Sequence, residues 1–153
     1  MHIALVEPEI PPNTGSIARL CAATGTPLHL IGRLGFLIDD KHLKRAGLDY
    51  WPYVDVHQHP DWATFAARVP GRRLGFSARA TLPYTAAVFA PDDVLVFGCE
   101  TRGLPPAIKT ELADRLYAIP ITSPHVRSLN LATAVAVVLY EARRQLELPT
   151  DDR

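Results

Sequence analysis

Paired cysteines, an excess charge of one sign and a long apolar run are all missing from this sequence of 153 residues. Its two cysteines, Cys21 and Cys99, stand far apart in no C-x-x-C pattern, so we expect no disulfides, no cysteine zinc site and two small core residues. The 16 Lys and Arg residues balance the 16 Asp and Glu residues, so the chain as a whole does not attract nucleic acid or anionic lipid. An RNA partner would have to be bound by a local basic patch.

The sequence also has no signal for export or for membrane insertion. Met1 leads directly into "HIALVEP", without the basic segment and long apolar segment of a secretory signal peptide. The longest apolar run is shorter than the roughly 18 residues that a membrane span requires. Hydrophobic residues make up 48% and charged residues 21%, as in ordinary globular proteins. We therefore predict a cytoplasmic protein with no membrane contact.

Short apolar runs alternate with amphipathic segments along the chain. The runs are rich in Val, Ile, Leu and Phe and are bounded by Pro, Gly or charged residues, which is typical of buried strands. They are "HIALVEP", "PLHLIG", "RRLGFSA", "DVLVFG" and "LYAIPI". The helices predicted between them span residues 14–23, 39–46, 61–69 and 105–113. The alternation predicts an α/β fold, with a mostly parallel sheet and helices on both faces, and the absence of a linker predicts one domain over residues 1–153.

The last predicted helix differs from the others because it is apolar nearly all round. From Leu131 to Tyr140 only Thr133 is polar. One side of this helix can pack on the sheet, but a domain this small has little to cover the opposite side. A second copy of the chain would cover it, so we predict a homodimer.

One cluster of metal-ligand residue types occurs in "DVHQHPDW", where His57, His59 and Asp61 stand at alternate positions. Imidazoles beside a carboxylate suit zinc. The same alternation fits an edge strand with polar residues outward, and Trp62 stands where a further ligand would be needed. We favour the edge strand and predict no metal.

Three loops at predicted strand ends carry residues that a simple connection does not need. Ligands of open parallel sheets bind beyond the carboxyl ends of the strands. In the first loop, Asn13 is predicted to cap a helix beginning near Thr14, and Arg19 follows; a capped helix with a solvated Arg is the alternative. The second loop is not a phosphate-binding loop, because Leu104 stands where lysine is required. In the third, Asn130 is predicted to cap the last helix. The three loops are "EPEIPPNTGSIAR", "GCETRGLPP" and "IPITSPHVRSLN".

Taken together and in this order, the three loops resemble the motifs of the SPOUT methyltransferases, and specifically of their SpoU branch. The first motif of that branch is N-T-G-x-x-x-R, the second is G-x-E-x-x-G-L, and the third is I-P followed by S-L-N before the final helix. The matching residues are Asn13, Thr14, Gly15 and Arg19, then Gly98, Glu100, Gly103 and Leu104, then Ile119, Pro120, Ser128, Leu129 and Asn130.

Two further stretches, "EPEIPPNTG" and "KRAGLDYW", resemble the small, single-domain members of this branch that have no separate RNA-binding domain. The similarity runs from Ile3 to about Leu148. It implies S-adenosylmethionine-dependent 2'-O-methylation of the tRNA wobble nucleotide, position 34, a cytidine or modified uridine in leucine tRNAs, with S-adenosylhomocysteine as the second product. The same chemistry on another tRNA or rRNA site, or non-catalytic binding of S-adenosylmethionine or RNA, remain the alternatives.

The resemblance also implies a fold and a set of site residues. Knots are very rare in proteins, but this family ties its C-terminal segment into a deep trefoil knot whose loops form the S-adenosylmethionine pocket, and it forms homodimers. Arg19 matches the catalytic arginine, which we interpret as a phosphate clamp because a guanidinium stays protonated. Asn13 would orient the hydroxyl or the Arg19 loop. Glu100 either accepts backbone N–H bonds, which we favour, or assists proton removal. The residues expected to contact the cofactor are Ser77, Gly98, Gly103, Ile119, Ile121, Ser128 and Leu129.

A basic patch for tRNA is predicted in "KHLKRAGLDYW". Its cations are Lys41, Lys44 and Arg45, and Tyr50 and Trp51 follow as aromatic rings on which bases could stack. A solvated helix followed by core aromatics is an equally good interpretation. Other candidates for phosphate contacts are Arg33, Arg79, Arg102 and Arg127.

Overall fold

A computed structural model of the chain describes residues 1–38, 41 and 49–146. Seven parallel strands form one sheet in the order β3-β2-β1-β6-β4-β7-β5. The strands are β1 (His2–Val6), β2 (Leu28–Ile31), β3 (Val56–His59), β4 (Arg73–Phe76), β5 (Leu82–Pro83), β6 (Val94–Phe97) and β7 (Leu116–Ala118). The helices are α1 (Pro11–Thr24), α2 (Trp62–Arg68), α3 (Pro106–Glu111) and α4 (Leu131–Gln145). All five strands predicted from apolar runs are confirmed, and the predicted helix at 39–46 lies outside the described residues apart from Lys41.

The sheet is covered on both faces, as the sequence predicts for a parallel sheet. On one face, Ile3 and Leu5 of β1 pack against Ile17 of α1 and Val135 and Leu139 of α4. These side chains are almost completely buried. The continuous apolar runs of the central strands are explained by this arrangement, because a strand with helices on both sides has no solvent face.

The other sheet face packs against the two shorter helices. Ala4 and Val6 of β1 lie there with Phe65 of α2 and with Ile108 of α3 and Leu112 just after it. Asp61 caps α2 by accepting a hydrogen bond from the Thr64 backbone N–H at 2.7 Å. None of the helices in the described ranges is long and apolar enough to cross a membrane.

The last helix has a buried face and a partly open one. Asn130 caps α4 by accepting a hydrogen bond from the Thr133 N–H at 3.2 Å, which confirms the predicted cap. Val138 and Ala142 face the core, whereas the Tyr140 ring is 54% exposed on the opposite side. Part of this apolar helix is therefore uncovered in a single chain.

The predicted cap at Asn13 is wrong. Helix α1 begins at Pro11, its N-cap residue is Ile10, and no side chain caps it. Proline has no N–H and a fixed φ suited to a first turn, so Pro11 and Pro12 start the helix and leave fewer donors to cap. Asn13 is instead buried in the first turn, where its Oδ1 accepts a hydrogen bond from Asn130 Nδ2 at 2.9 Å.

Three histidines form a hydrogen-bonded row across the first three strands. His2 Nδ1 and His29 Nε2 are 2.9 Å apart, and His29 Nδ1 and His59 Nε2 are also 2.9 Å apart. His29 is 3% exposed and stacks on His57 as well. Because each of these contacts joins two ring nitrogens, one nitrogen must donate and the other must accept. Neutral imidazoles satisfy this along the whole row.

The three residues weighed as metal ligands have separate partners. His57 Nε2 lies 2.8 Å from Asp55 Oδ1, His59 hydrogen-bonds to His29, and Asp61 caps α2. Among residues 1–38, 41 and 49–146 no group of three or more His, Cys, Asp or Glu side chains is arranged to hold a metal ion. The edge strand predicted at this segment is confirmed as β3.

Acid is expected to destabilise the fold through this row. Burial lowers the pKa of His29 from 6.5 to about 3, and burial also lowers the pKa of His2 and His59. The unfolded chain binds these protons more readily than the folded chain. The contribution of the histidine row to the free energy of unfolding is therefore fully present above pH 6.5 and is lost as the pH falls towards 3. His29 alone should give a slope of about 1.4 kcal/mol per pH unit within that window.

Urea unfolding at a series of pH values measures this slope. His29→Gln keeps one donor and one acceptor but cannot titrate, so its stability should depend less on pH than that of the wild-type chain. His125→Gln removes an exposed histidine from the third loop and serves as the control. Equal pH dependence in His29→Gln and the wild type would contradict the assignment.

Candidate active site

A crevice of about 670 Å³ lies beyond the carboxyl ends of β4, β6 and β7. Its walls come from all three loops singled out in the sequence, as expected for a ligand site of a parallel sheet. Every residue predicted to contact the cofactor lines it, and so do two of the three predicted catalytic residues. These residues are Asn13, Ser77, Gly98, Glu100, Gly103, Ile119, Ile121, Ser128 and Leu129.

The second loop turns back on itself at the end of β6. The Gly103 N–H donates to the Cys99 carbonyl at 2.9 Å, and Gly103 has a left-handed φ of 69°. At Gly98 the turn is so tight that a Cβ would lie 2.0 Å from the Gly103 carbonyl carbon. Glycine at position 98 is therefore a steric requirement of this wall of the crevice.

Two carboxylates join the first and second loops, each accepting hydrogen bonds from groups of the other loop. The Glu100 carboxylate accepts hydrogen bonds from the backbone N–H groups of Glu9, at 3.1 Å, and of Ile10, at 2.5 Å. In return, the Glu9 carboxylate accepts from the Thr101 N–H at 3.2 Å and from the Thr101 hydroxyl at 2.6 Å. The contact fixes the start of α1, and with it Asn13, against the second loop. Glu9 and Thr101 were not singled out from the sequence.

Replacing Glu100 with alanine is expected to loosen the first loop. A hydrogen bond to a charged group contributes roughly 1.5–3 kcal/mol. The affinity for S-adenosylmethionine, the methyl donor that the sequence resemblance implies, should therefore fall about tenfold or more. Glu100→Gln keeps one acceptor oxygen and should be intermediate. Calorimetric titration with S-adenosylhomocysteine measures the effect. If Glu100→Ala kept full affinity but transferred no methyl group, Glu100 would act on the proton instead.

The third loop forms the open side of the crevice. Residues 122–130 are exposed, including Ser128 and Leu129. The loop is tied to the first one through the Asn130–Asn13 hydrogen bond. Asn130 thus caps α4 and also contacts Asn13, the residue predicted to orient the substrate hydroxyl.

Arg19 does not line the crevice of its own chain. It is exposed on α1, and its guanidinium carbon lies 4.9 Å from the centre of the Tyr50 ring. The arginine that the sequence predicted to be catalytic is therefore not among the residues that line the crevice of a single chain.

The crevice wall is strongly basic although the chain is neutral overall. Three of the arginines considered for phosphate contacts line it, Arg79, Arg102 and Arg127, together with Lys109, which was not singled out. Glu100 is the one acid among the described lining residues. Of the basic patch predicted for tRNA, Lys41 is exposed, and Lys44 and Arg45 lie outside the described residues.

Comparison with known proteins identifies the family. The sequence profile of the SpoU rRNA Methylase family matches residues 1–140, which is most of the chain. The chain belongs to the SpoU methylase family. The resemblance stated from its three motifs is thereby confirmed.

Two curated relatives and two solved structures resemble the chain over nearly its whole length. A tRNA (cytidine(34)-2'-O)-methyltransferase from Escherichia coli K12 is 48% identical over 151 residues, covering 97% of this chain and 96% of the relative. One of the same name from Methylovorus glucosotrophus is 48% identical, covering 94% of each. A structure solved for the 2-OH methylation of C/U34 on tRNA has a TM-score of 0.90 and 49% identity, covering 95% of each chain.

A more distant structure contains the methyl donor. The SpoU methyltransferase AviRb from Streptomyces viridochromogenes, in complex with AdoMet, has a TM-score of 0.79 and 27% identity. The match covers 97% of this chain and 61% of AviRb.

Proposed function

We propose that this chain transfers the methyl group of S-adenosylmethionine to the ribose 2'-hydroxyl of the tRNA wobble nucleotide, position 34. The observation that carries the proposal is the crevice, where three motifs far apart in the sequence meet at one sheet edge. Relatives that are 48% identical over nearly the full chain are tRNA (cytidine(34)-2'-O)-methyltransferases, which supports the position of the nucleotide.

The crevice suits S-adenosylmethionine in size and chemistry. Its volume of about 670 Å³ is ordinary for a small-molecule site. Ile119, Ile121 and Leu129 offer apolar surface for the adenine, while the loop backbones of Gly98 and Gly103 offer polar groups without side-chain bulk. When bound, the donor supplies an electrophilic methyl group on a positively charged sulfur.

The basic wall of the crevice suits tRNA better than S-adenosylmethionine. The sulfonium of the donor is itself a cation, so four basic side chains against one carboxylate exceed what the donor carboxylate needs. RNA phosphates are the polyanion that such a wall would bind. We infer that Arg102 and Arg127 serve the tRNA backbone at the crevice mouth.

The chain's own residues chiefly have to align the hydroxyl and stabilise charge. The new O–C bond forms as the C–S bond breaks, the sulfur keeps the electron pair, and the hydroxyl proton leaves to solvent. Arg19 is proposed to clamp the adjacent phosphate and stabilise the charge that develops on the oxygen, and Asn13 to orient the hydroxyl or the Arg19 loop. Glu100 holds the first loop, since its oxygens already accept two backbone N–H groups.

We further propose a cytoplasmic, knotted, single-domain homodimer. The C-terminal segment after β7, with α4, would form the trefoil knot of the SpoU branch. The exposed Tyr140 side of α4 would be covered by the second copy. Because Arg19 does not line the crevice of its own chain, an active site drawing residues from both copies is the arrangement that we favour.

Incubating the purified protein with S-adenosylmethionine and unmodified tRNA transcripts tests the reaction. Mass spectrometry of nuclease fragments should locate one added methyl group on the ribose of nucleotide 34. A methyl group at another tRNA or rRNA nucleotide would keep the chemistry and change the substrate. Absence of transfer despite donor binding would indicate a non-catalytic binding domain.

A further inference from the structure

The Arg19 guanidinium lies over the face of the Tyr50 ring. The guanidinium carbon lies 4.9 Å from the ring centre. Within the described ranges, 1–38, 41 and 49–146, the structure gives the Arg19 side chain neither a hydrogen bond nor an ion pair. A cation over an aromatic face interacts through its flat side, so the N–H groups in its plane stay free to donate.

The backbone around Tyr50 fixes the ring at this place. The Tyr50 carbonyl accepts the Tyr53 N–H at 2.9 Å, which starts a 3-10 helix over Trp51–Tyr53. That helix packs on α1, and the half-buried Trp51 contacts the core beneath it. Tyr50 itself remains 41% exposed, so its ring contributes little to the core.

We propose that Tyr50 is a positioning residue that holds the Arg19 guanidinium with its N–H edge free for an RNA phosphate. This inference rests on the proposed function of Arg19. An exposed arginine samples many rotamers, and a stacked one keeps a restricted set, so less freedom is lost when the guanidinium of the bound enzyme reaches the geometry of the transition state. The ring face that the sequence offered to a base is occupied by Arg19 instead.

Variants of Tyr50 separate the ring face from the hydroxyl and from folding. Tyr50→Phe and Tyr50→Trp keep an aromatic face and should retain activity. Tyr50→Leu should slow single-turnover methyl transfer at saturating tRNA by about threefold to tenfold, without changing donor affinity. Tyr53→Leu is the matched control, because Tyr53 ends the short helix that Tyr50 precedes, is 78% exposed and is not the ring beneath Arg19.

A double-mutant cycle tests whether the effect passes through Arg19. In an Arg19→Lys background the planar guanidinium is gone. Tyr50→Leu should therefore lower the rate of methyl transfer by a smaller factor there than in the wild type. Equal losses in both backgrounds would overturn the proposal, as would equal impairment in Tyr50→Phe and Tyr50→Leu. A loss of tRNA affinity alone, with an unchanged rate at saturation, would assign the ring to base stacking and would also overturn it.

A spectroscopic readout needs no activity and separates this proposal from the proposed function. The Arg19 Nε–H proton, assigned by its loss in Arg19→Lys, should be shifted upfield by the ring current of Tyr50. The shift should survive in Tyr50→Phe and disappear in Tyr50→Leu. No upfield shift in the wild type would refute the positioning role. A chain with the shift but without methyl transfer would refute the proposed function.

Discussion

Gly98→Ala is expected to abolish donor binding and to lower the melting temperature markedly. A Cβ on residue 98 would lie 2.0 Å from the Gly103 carbonyl carbon and 2.1 Å from the Leu104 nitrogen. Both are backbone atoms, so no side-chain rotation relieves the clash and the second loop has to open. Overpacking of this kind costs about 3 kcal/mol, which corresponds to a fall of about 6–12 °C for a chain of this size.

Differential scanning calorimetry and titration with S-adenosylhomocysteine measure the two effects. Gly25→Ala is the control, since Gly25 has a left-handed φ of 63° that disfavours alanine, but a Cβ there meets nothing within 4 Å. It ends α1 rather than lining the crevice, so it should lose stability and keep donor affinity. Wild-type affinity in Gly98→Ala would show that the second loop does not shape the donor site.

The strands were predictable because the signal lies within each segment. A run such as Val94–Phe97 is apolar throughout, and a short apolar run bounded by turn residues is typical of a strand covered on both faces. Strand β5, Leu82–Pro83, was not predicted, because two residues that include a proline give no periodicity and pair only at the sheet edge.

The place of the site was predictable for a topological reason. Parallel strands end at the same side of the sheet, so the three predicted loops, which follow β1, β6 and β7, could be expected to meet without any knowledge of side-chain contacts. The contacts themselves were not predictable, since Glu9 and Thr101 are 92 positions apart and neither belongs to a local pattern. The cap assigned to Asn13 failed because α1 begins two residues earlier, at Pro11, and the Asn13 oxygen accepts a hydrogen bond from Asn130, 117 positions away.

The histidine row is another contact that the spacing of residues along the chain did not predict. The sequence drew attention to His57 and His59 because they stand close together along the chain. The structural unit joins His59 to His29 and His2, which parallel pairing of β1, β2 and β3 brings to one sheet face. Neighbours across strands decide that these imidazoles hydrogen-bond to each other, and no spacing along one strand reports this.

Arg19→Ala is expected to lower the rate of methyl transfer about 10²–10³-fold, the usual cost of losing one donor to developing charge. The affinity for S-adenosylmethionine should stay within about twofold of the wild type, since Arg19 is proposed to contact the RNA phosphate and the substrate oxygen rather than the methyl donor. Single-turnover assays with labelled donor and calorimetry measure both quantities. Arg68→Ala removes one exposed cation from α2 on the opposite sheet face and should remain active. A chain that fails to fold without Arg19 would assign it a structural role.

Mixing two inactive variants then decides which crevice Arg19 serves. An Arg19→Ala chain keeps an intact crevice, and a Gly98→Ala chain keeps its Arg19. If Arg19 acts on the crevice of the second copy, mixed dimers regain one working site. Random mixing of equal amounts should then restore about a quarter of the wild-type rate, because half the dimers are mixed and each has one competent crevice of two. If Arg19 acts within its own chain, no chain in a mixed dimer has both an intact crevice and Arg19, so the mixture stays inactive.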